Sequence, residues 1–240
     1  MERGVDPVAN RRYGVVLGLV VVNILVIAVT PSGELSRLLS AALAVASAVA
    51  ALHAAGASGA AQRLVRLSAG LVLLGAVIAT ITGGGDLTRG LISLGSGAFV
   101  VLAPLVIFRG LLRQVLDEGV DMHVVAGALA IYMLIGLFFA FAVAGVSELA
   151  SSPYFVGHAH AAPSEDVYFS FITLSTVGYG DYTPALGIGR GLSILEGVAG
   201  QLYLVTVVAL LIGNLRGRHV SSMAAGRSDA AAAPGTDSEA

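Results

Sequence analysis

The residues best suited to chemistry are Thr176-Val177-Gly178-Tyr179-Gly180-Asp181, where glycine alternates with bulkier side chains between two long apolar segments. Glycine adopts backbone dihedrals that other residues resist. Glycines on both sides of Tyr179 therefore let successive carbonyl oxygens face one axis. Copies of such a run, gathered round that axis, would stack rings of oxygen, joined by the Thr176 hydroxyls, that replace the water shell of a bare cation. The chemistry is coordination, with no bond made or broken. A plain turn between helices is the alternative for this run. No nucleophile paired with a base is recognisable elsewhere, so no enzyme and no organic or metal cofactor is expected.

The elements that must position this run lie in a membrane. Of 240 residues 56% are hydrophobic and 12% charged, against about 25% charged in an ordinary soluble domain. The 13 basic residues are all arginine and the net charge is -2, with no basic block for nucleic acid. With 0 cysteines, disulfides and thiolate metal sites are excluded.

An all-α membrane protein with six transmembrane helices, a re-entrant pore helix and a filter loop is expected. After a polar cytoplasmic N-terminus (1–12), residues 13–108 hold four peripheral spans: Tyr13 to Val29, Leu35 to Ala55, Leu64 to Ile81 and Leu87 to Phe108. The first is about 25 Å long, near one bilayer core and longer than the apolar core of a signal peptide. In 109–121, Leu111, Leu112, Val115 and Leu116 alternate with charged neighbours at helical spacing, as in a helix lying on the membrane surface. Residues 122–216 hold a fifth span (His123 to Val146), the filter and a sixth span (Leu192 to Leu215). The stretch 217–240 lacks apolar periodicity and is expected to be a disordered cytoplasmic tail. With both termini cytoplasmic, only Arg37, Arg89 and Arg190 of the 13 arginines fall outside, in keeping with the excess of arginine on cytoplasmic faces. Glu148, Glu165, Asp166 and Asp181 would then surround the outer mouth and concentrate cations there.

Ahead of the filter, Pro163-Ser164-Glu165-Asp166 has the makings of a helix start, with Ser164 as cap and two carboxylates at the positive dipole end. The helix that follows, to about Ser175, is too short to span and must re-enter. Its carboxyl end would favour a cation below the filter.

Thr176-Val177-Gly178-Tyr179-Gly180 is the filter loop sequence of potassium channels. From Val167 to Gly213 the order of pore helix, filter, Pro184 turn and inner helix resembles the pore domain of tetrameric potassium channels, of the bacterial six-span type without a charged voltage sensor. The resemblance implies a homotetramer, three further copies joining this one in the plasma membrane. It also implies a potassium-selective channel with K+ sites at Thr176, Val177, Gly178, Tyr179 and Gly180. By the same resemblance Gly200 is the inner-helix hinge position, with Gly197 one turn earlier, and Gln201, Leu204 and Val208 line the cavity. Close helix packing is an equal alternative for both glycines.

Some relatives carry a glutamate four residues before the filter threonine that couples to the filter aspartate. Here Ile172 stands there, and Tyr168 is expected to reach Asp181 instead. Glu196, an ionisable group inside a span, is a functional candidate by its cost alone. It is expected to brace the filter through Thr173, Ser175 or backbone, a plain structural hydrogen bond being the alternative. Steep voltage gating needs several charges, each worth about 2.3 kcal/mol per 100 mV. The fourth span carries only Arg89, so weak or no voltage dependence is expected. Asn23 and His53 are read as interhelical hydrogen-bonding groups, and His158 and His160 as an ordinary polar loop. The rival functions are a weakly selective cation channel and a non-conducting membrane scaffold.

Overall fold

The computed structural model describes residues 12–30, 34–54, 85–117, 122–158 and 161–231, with isolated helical positions at 63, 67, 70, 73–75, 77 and 78. Its helices are α1 (Arg12–Val29), α2 (Glu34–Ala54), α3 (Asp86–Asp117), α4 (Met122–Leu149), α5 (Pro163–Leu174) and α6 (Gly187–Ala231). Among the described residues the one strand-like pairing is an antiparallel bridge between Phe155 and Pro184. The stretches Val124–Leu149 in α4 and Gly187–Leu210 in α6 are long and apolar enough to cross a membrane. The apolar parts of α1 (Tyr13–Val29) and α2 (Leu39–Ala51) are shorter. The expected third span, Leu64 to Ile81, falls outside the described residues apart from the isolated positions, as do 1–11, His160 and 232–240.

Helix α4 is the hub. It packs on α1, α3, α5 and α6, while α2 lies against α1 and α3. On α1 the buried residues Val16, Val20, Asn23 and Ile27 follow helical spacing and form one stripe. On α2 the matching stripe is small, with Ala44, Ser47, Ala48 and Ala51 buried, so its backbone can come close to its neighbours. These stripes join Val100 and Ile107 of α3 and Leu134 and Leu137 of α4 in one core that extends to Val167 of α5.

Three local expectations need correction. Residues 109–117 of the surface linker expected at 109–121 continue α3, a single helix of 32 residues with Pro104 inside it, and 118–121 lie outside the described residues. The reason is Leu111, which is buried and sits against Gly127 of α4, where an added Cβ would meet Leu111 Cδ2 at 2.8 Å. That contact holds the segment on the bundle. At the other end, α6 has 45 residues and stays helical to Ala231. Residues 217–231 are therefore helical, in a stretch rich in alanine, the strongest helix former. The His53 Nδ1 pairs with Val49 O of its own helix at 2.8 Å. The Asn23 amide is fully buried and has no hydrogen-bond partner among the described residues.

Candidate functional site

The site is built on α5, whose start differs from the expected one. Ala162 is the cap position, Pro163 opens the helix, and Glu165 Oε2 accepts the Ala162 N–H at 2.7 Å. Glu165, rather than Ser164, thus ties the first turn. Its other oxygen, Oε1, accepts the Tyr182 hydroxyl at 2.8 Å, so the start of α5 is tethered to the segment leaving the filter. Asp166 is buried behind α5. Of the four carboxylates expected around the mouth, Asp181 alone is exposed, while Glu148 and Glu165 are partly covered.

At its other end α5 turns directly into the filter. The Thr176 N–H donates to Thr173 O at 3.0 Å, and those of Val177 and Gly178 both donate to Ile172 O, at 2.9 and 3.1 Å. Carbonyls that a helix end leaves without partners are thus satisfied by filter N–H groups. The filter's donors point back at α5. Thr176, Gly178 and Gly180 have φ of 60°, 51° and 80°, while Val177 and Tyr179 between them keep negative φ. Alternation between left- and right-handed backbone turns successive peptide groups the same way, whereas a strand alternates them. For glycine a positive φ is free. For a β-branched residue such as Thr176 it is strained, at a cost of about 1–3 kcal/mol, and strain of this kind collects at functional sites.

Behind and above the filter lies a supporting network. The Tyr168 hydroxyl donates to Asp181 Oδ2 at 2.7 Å, and Asp181 Oδ1 accepts the Tyr182 N–H at 3.1 Å. The Tyr168 bond, helped by backbone N–H groups and the charge of His158, holds the Asp181 carboxyl below its ordinary range despite opposing desolvation. The Tyr182 hydroxyl is pushed up, first by its bond to Glu165 and then by burial. Beyond Asp181 the chain pairs with the loop ahead of α5. Val156 N donates to Thr183 O at 2.9 Å and Ala185 N to Tyr154 O at 2.7 Å. Phe155 stands edge-on to Tyr154, Phe169 and Tyr182, and His158 stacks on Tyr182 with centroids 4.4 Å apart. Tyr154, Phe155 and Tyr182 are functional neighbours that sequence reasoning missed. Their signal was aromatic residues in a loop otherwise made of small and polar ones.

The inner-helix residues divide. Gly200 is a contact point, since a Cβ there would collide with Leu174 O and come within 2.8 Å of Leu174 Cδ1. Close packing, one of the two alternatives for Gly200, is present there. Gln201, Leu204 and Val208 are all exposed. Tyr203 faces inward, and its hydroxyl donates to Ala128 O of α4 at 2.6 Å. Glu196 is fully buried but bonds to neither Thr173 nor Ser175. The Ser175 hydroxyl is turned to Phe171 O of its own helix at 2.6 Å. The Glu196 carboxylate instead faces Ser170.

Residues 149–216, from the last residue of α4 through α5 and the filter into α6, match the family model described as an ion channel. The chain thus carries an ion channel domain, and its apolar helices suit a membrane protein. That family is one of channels and not of enzymes. No curated protein and no solved structure matches the chain.

Proposed function

We propose that this protein is a potassium-selective channel, formed by four copies of the chain in the cell membrane with both termini cytoplasmic. The observation that carries the proposal is the alternating backbone of Thr176-Val177-Gly178-Tyr179-Gly180, with the N–H groups of Thr176, Val177 and Gly178 anchored on α5. Such a backbone offers its carbonyl oxygens together on the side away from α5. One run supplies one quarter of each ring, so three further copies are needed to close the cage. Val177 is 53% and Tyr179 73% exposed in the single chain, which leaves both free to meet those copies. The permeant K+ would shed water at the ring oxygens and move on by repulsion from the next ion.

The Tyr168 and Tyr182 bonds hold Asp181 at the filter exit, where a relative with a glutamate at the Ile172 position would use that carboxylate. The first four expected spans carry no regular arginine repeat. Although α3 ends with Arg109 and Arg113, its apolar stretch contains only Arg89, so opening depends weakly on voltage. Purified protein in liposomes under an imposed gradient tests the proposal. K+ flux should far exceed Na+ flux. Equal fluxes would mean a weakly selective cation channel, and no flux of either ion would favour a scaffold or a closed channel.

A further inference from the structure

On the side of α5 away from the filter, polar side chains gather out of reach of bulk solvent. Glu196 and Ser170 are 0% exposed and Tyr154 2%. Ser170 belongs to α5, Glu196 to α6, and Tyr154 to the loop between α4 and α5. Neither carboxylate oxygen of Glu196, nor Ser170 Oγ, nor Tyr154 Oη has a hydrogen-bond partner among the described residues. They are close all the same. The Ser170 hydroxyl approaches the Glu196 carboxylate without closing a bond of ordinary geometry. The Tyr154 hydroxyl sits against Gly189 of α6, two turns before Glu196, where an added Cβ would meet it at 3.0 Å. Buried polar groups in folded proteins are almost always paired, and a group left open signals something bound there. A buried carboxyl group left unpaired is the most costly of these.

The contact between α5 and α6 is less tight beside Glu196 than at Gly200. α6 touches α5 at Gly200, where a Cβ would strike Leu174 O. One turn earlier, a Cβ on Gly197 would find only Thr173 O, 4.0 Å away. Glu196 is the chain neighbour of Gly197 on α6, and Ser170 lies one turn before Thr173 on α5. The side chains gathered there are two hydroxyls and a carboxyl group. Among the described residues no group of three or more His, Cys, Asp or Glu side chains could hold a metal ion. Water meets the need, because it can donate to or accept from a carboxyl group and both hydroxyls and requires two to four polar partners.

We propose that the wedge between α5 and α6 is a bound-water site in which ordered water joins Tyr154, Ser170 and Glu196. The outer loop, the pore helix and the inner helix are then tied through an exchangeable molecule where direct bonds are lacking. Water-mediated bonds are nearly as good as direct ones. The inner helix is held to the back of the pore helix while keeping freedom for small shifts. The site rests on burial and open hydrogen-bonding atoms, whichever ion the channel passes.

The test uses the full chain in lipid bilayers and water-edited solid-state NMR. Magnetisation from water protons should reach the Glu196 carboxyl carbon and the Ser170 Cβ as fast as it reaches exposed side chains. Transfer as slow as that to buried Leu137 would overturn the site. A second measurement is a thermal-unfolding cycle of Tyr154→Phe, Ser170→Ala and the double variant. The two residues share no direct bond and both changes are small. A water bridge predicts that the double variant loses clearly less in Tm than the sum of the singles. Losses that simply add would rule out the bridge.

Discussion

Helices α4 and α6 are both apolar enough to cross a membrane, yet 56% of the α4 span is buried inside the chain and only 11% of the α6 span. The difference lies in what each helix meets. α4 is surrounded by four helices of its own chain. α6 touches the chain along one stripe, Glu196, Gly200 and Tyr203, at helical spacing. It turns Ile194, Leu195, Val198, Leu202 and Val205 outward. Hydrophobicity alone does not separate a helix completed by its own chain from one that still needs lipid or further copies. In the proposed channel α6 is the helix whose partners come from elsewhere, and the filter beside it is open for the same reason.

That contrast can be broken by mutation. Leu137→Ala on α4 should cost the chain about 2–5 kcal/mol, as for other buried leucines. Leu202→Ala on α6 should leave chain stability within about 0.5 kcal/mol while weakening the association of copies. Unfolding in mixed micelles and native mass spectrometry of the assembly read the two effects. If both variants unfold alike, the two helices do not differ as described.

Gly200→Val sharpens the contrast at the one place where α6 presses on α5. The branched side chain has no room beside Leu174 O, and overpacking of this kind costs about 1–3 kcal/mol. Ion flux should fall sharply, whereas Gly197→Ala, which meets only a 4.0 Å neighbour, should retain it. Equal loss in both variants would point to a hinge rather than a contact.

The smallest effect concerns pH. Because the folded chain lowers the Asp181 pKa, the support that Asp181 gives is present above the ordinary carboxylate range. It is lost as pH falls through the lowered value. Tyr168→Phe removes the largest cause of that lowering, so flux in the variant should decline at a higher external pH than in the parent. Identical acid profiles would show that the Tyr168 bond does not matter to the filter.

Much of the site was legible because it is local. The glycine spacing of 176–180 anticipates a special backbone, and Tyr168 stands two turns before the filter, in reach of Asp181. What was hidden depends on packing. Nothing in the sequence says that Leu111 seats on Gly127 and so extends α3, or that Glu165 Oε1 is taken by Tyr182, 17 residues away. Glu196 was conspicuous as a carboxylate in a span, but its facing partner, Ser170, is chosen by how α5 lies against α6. The strain at Thr176 was hidden too, since a β-branched residue gives no hint of positive φ.

The most direct test of potassium selectivity is the reversal potential of the reconstituted full-length protein in a planar bilayer with K+ on one side and Na+ on the other. A potential close to that set by the K+ gradient is predicted, with conduction lost in Gly178→Ala because its φ of 51° strains any side chain. Reversal near zero in the parent protein would contradict the account.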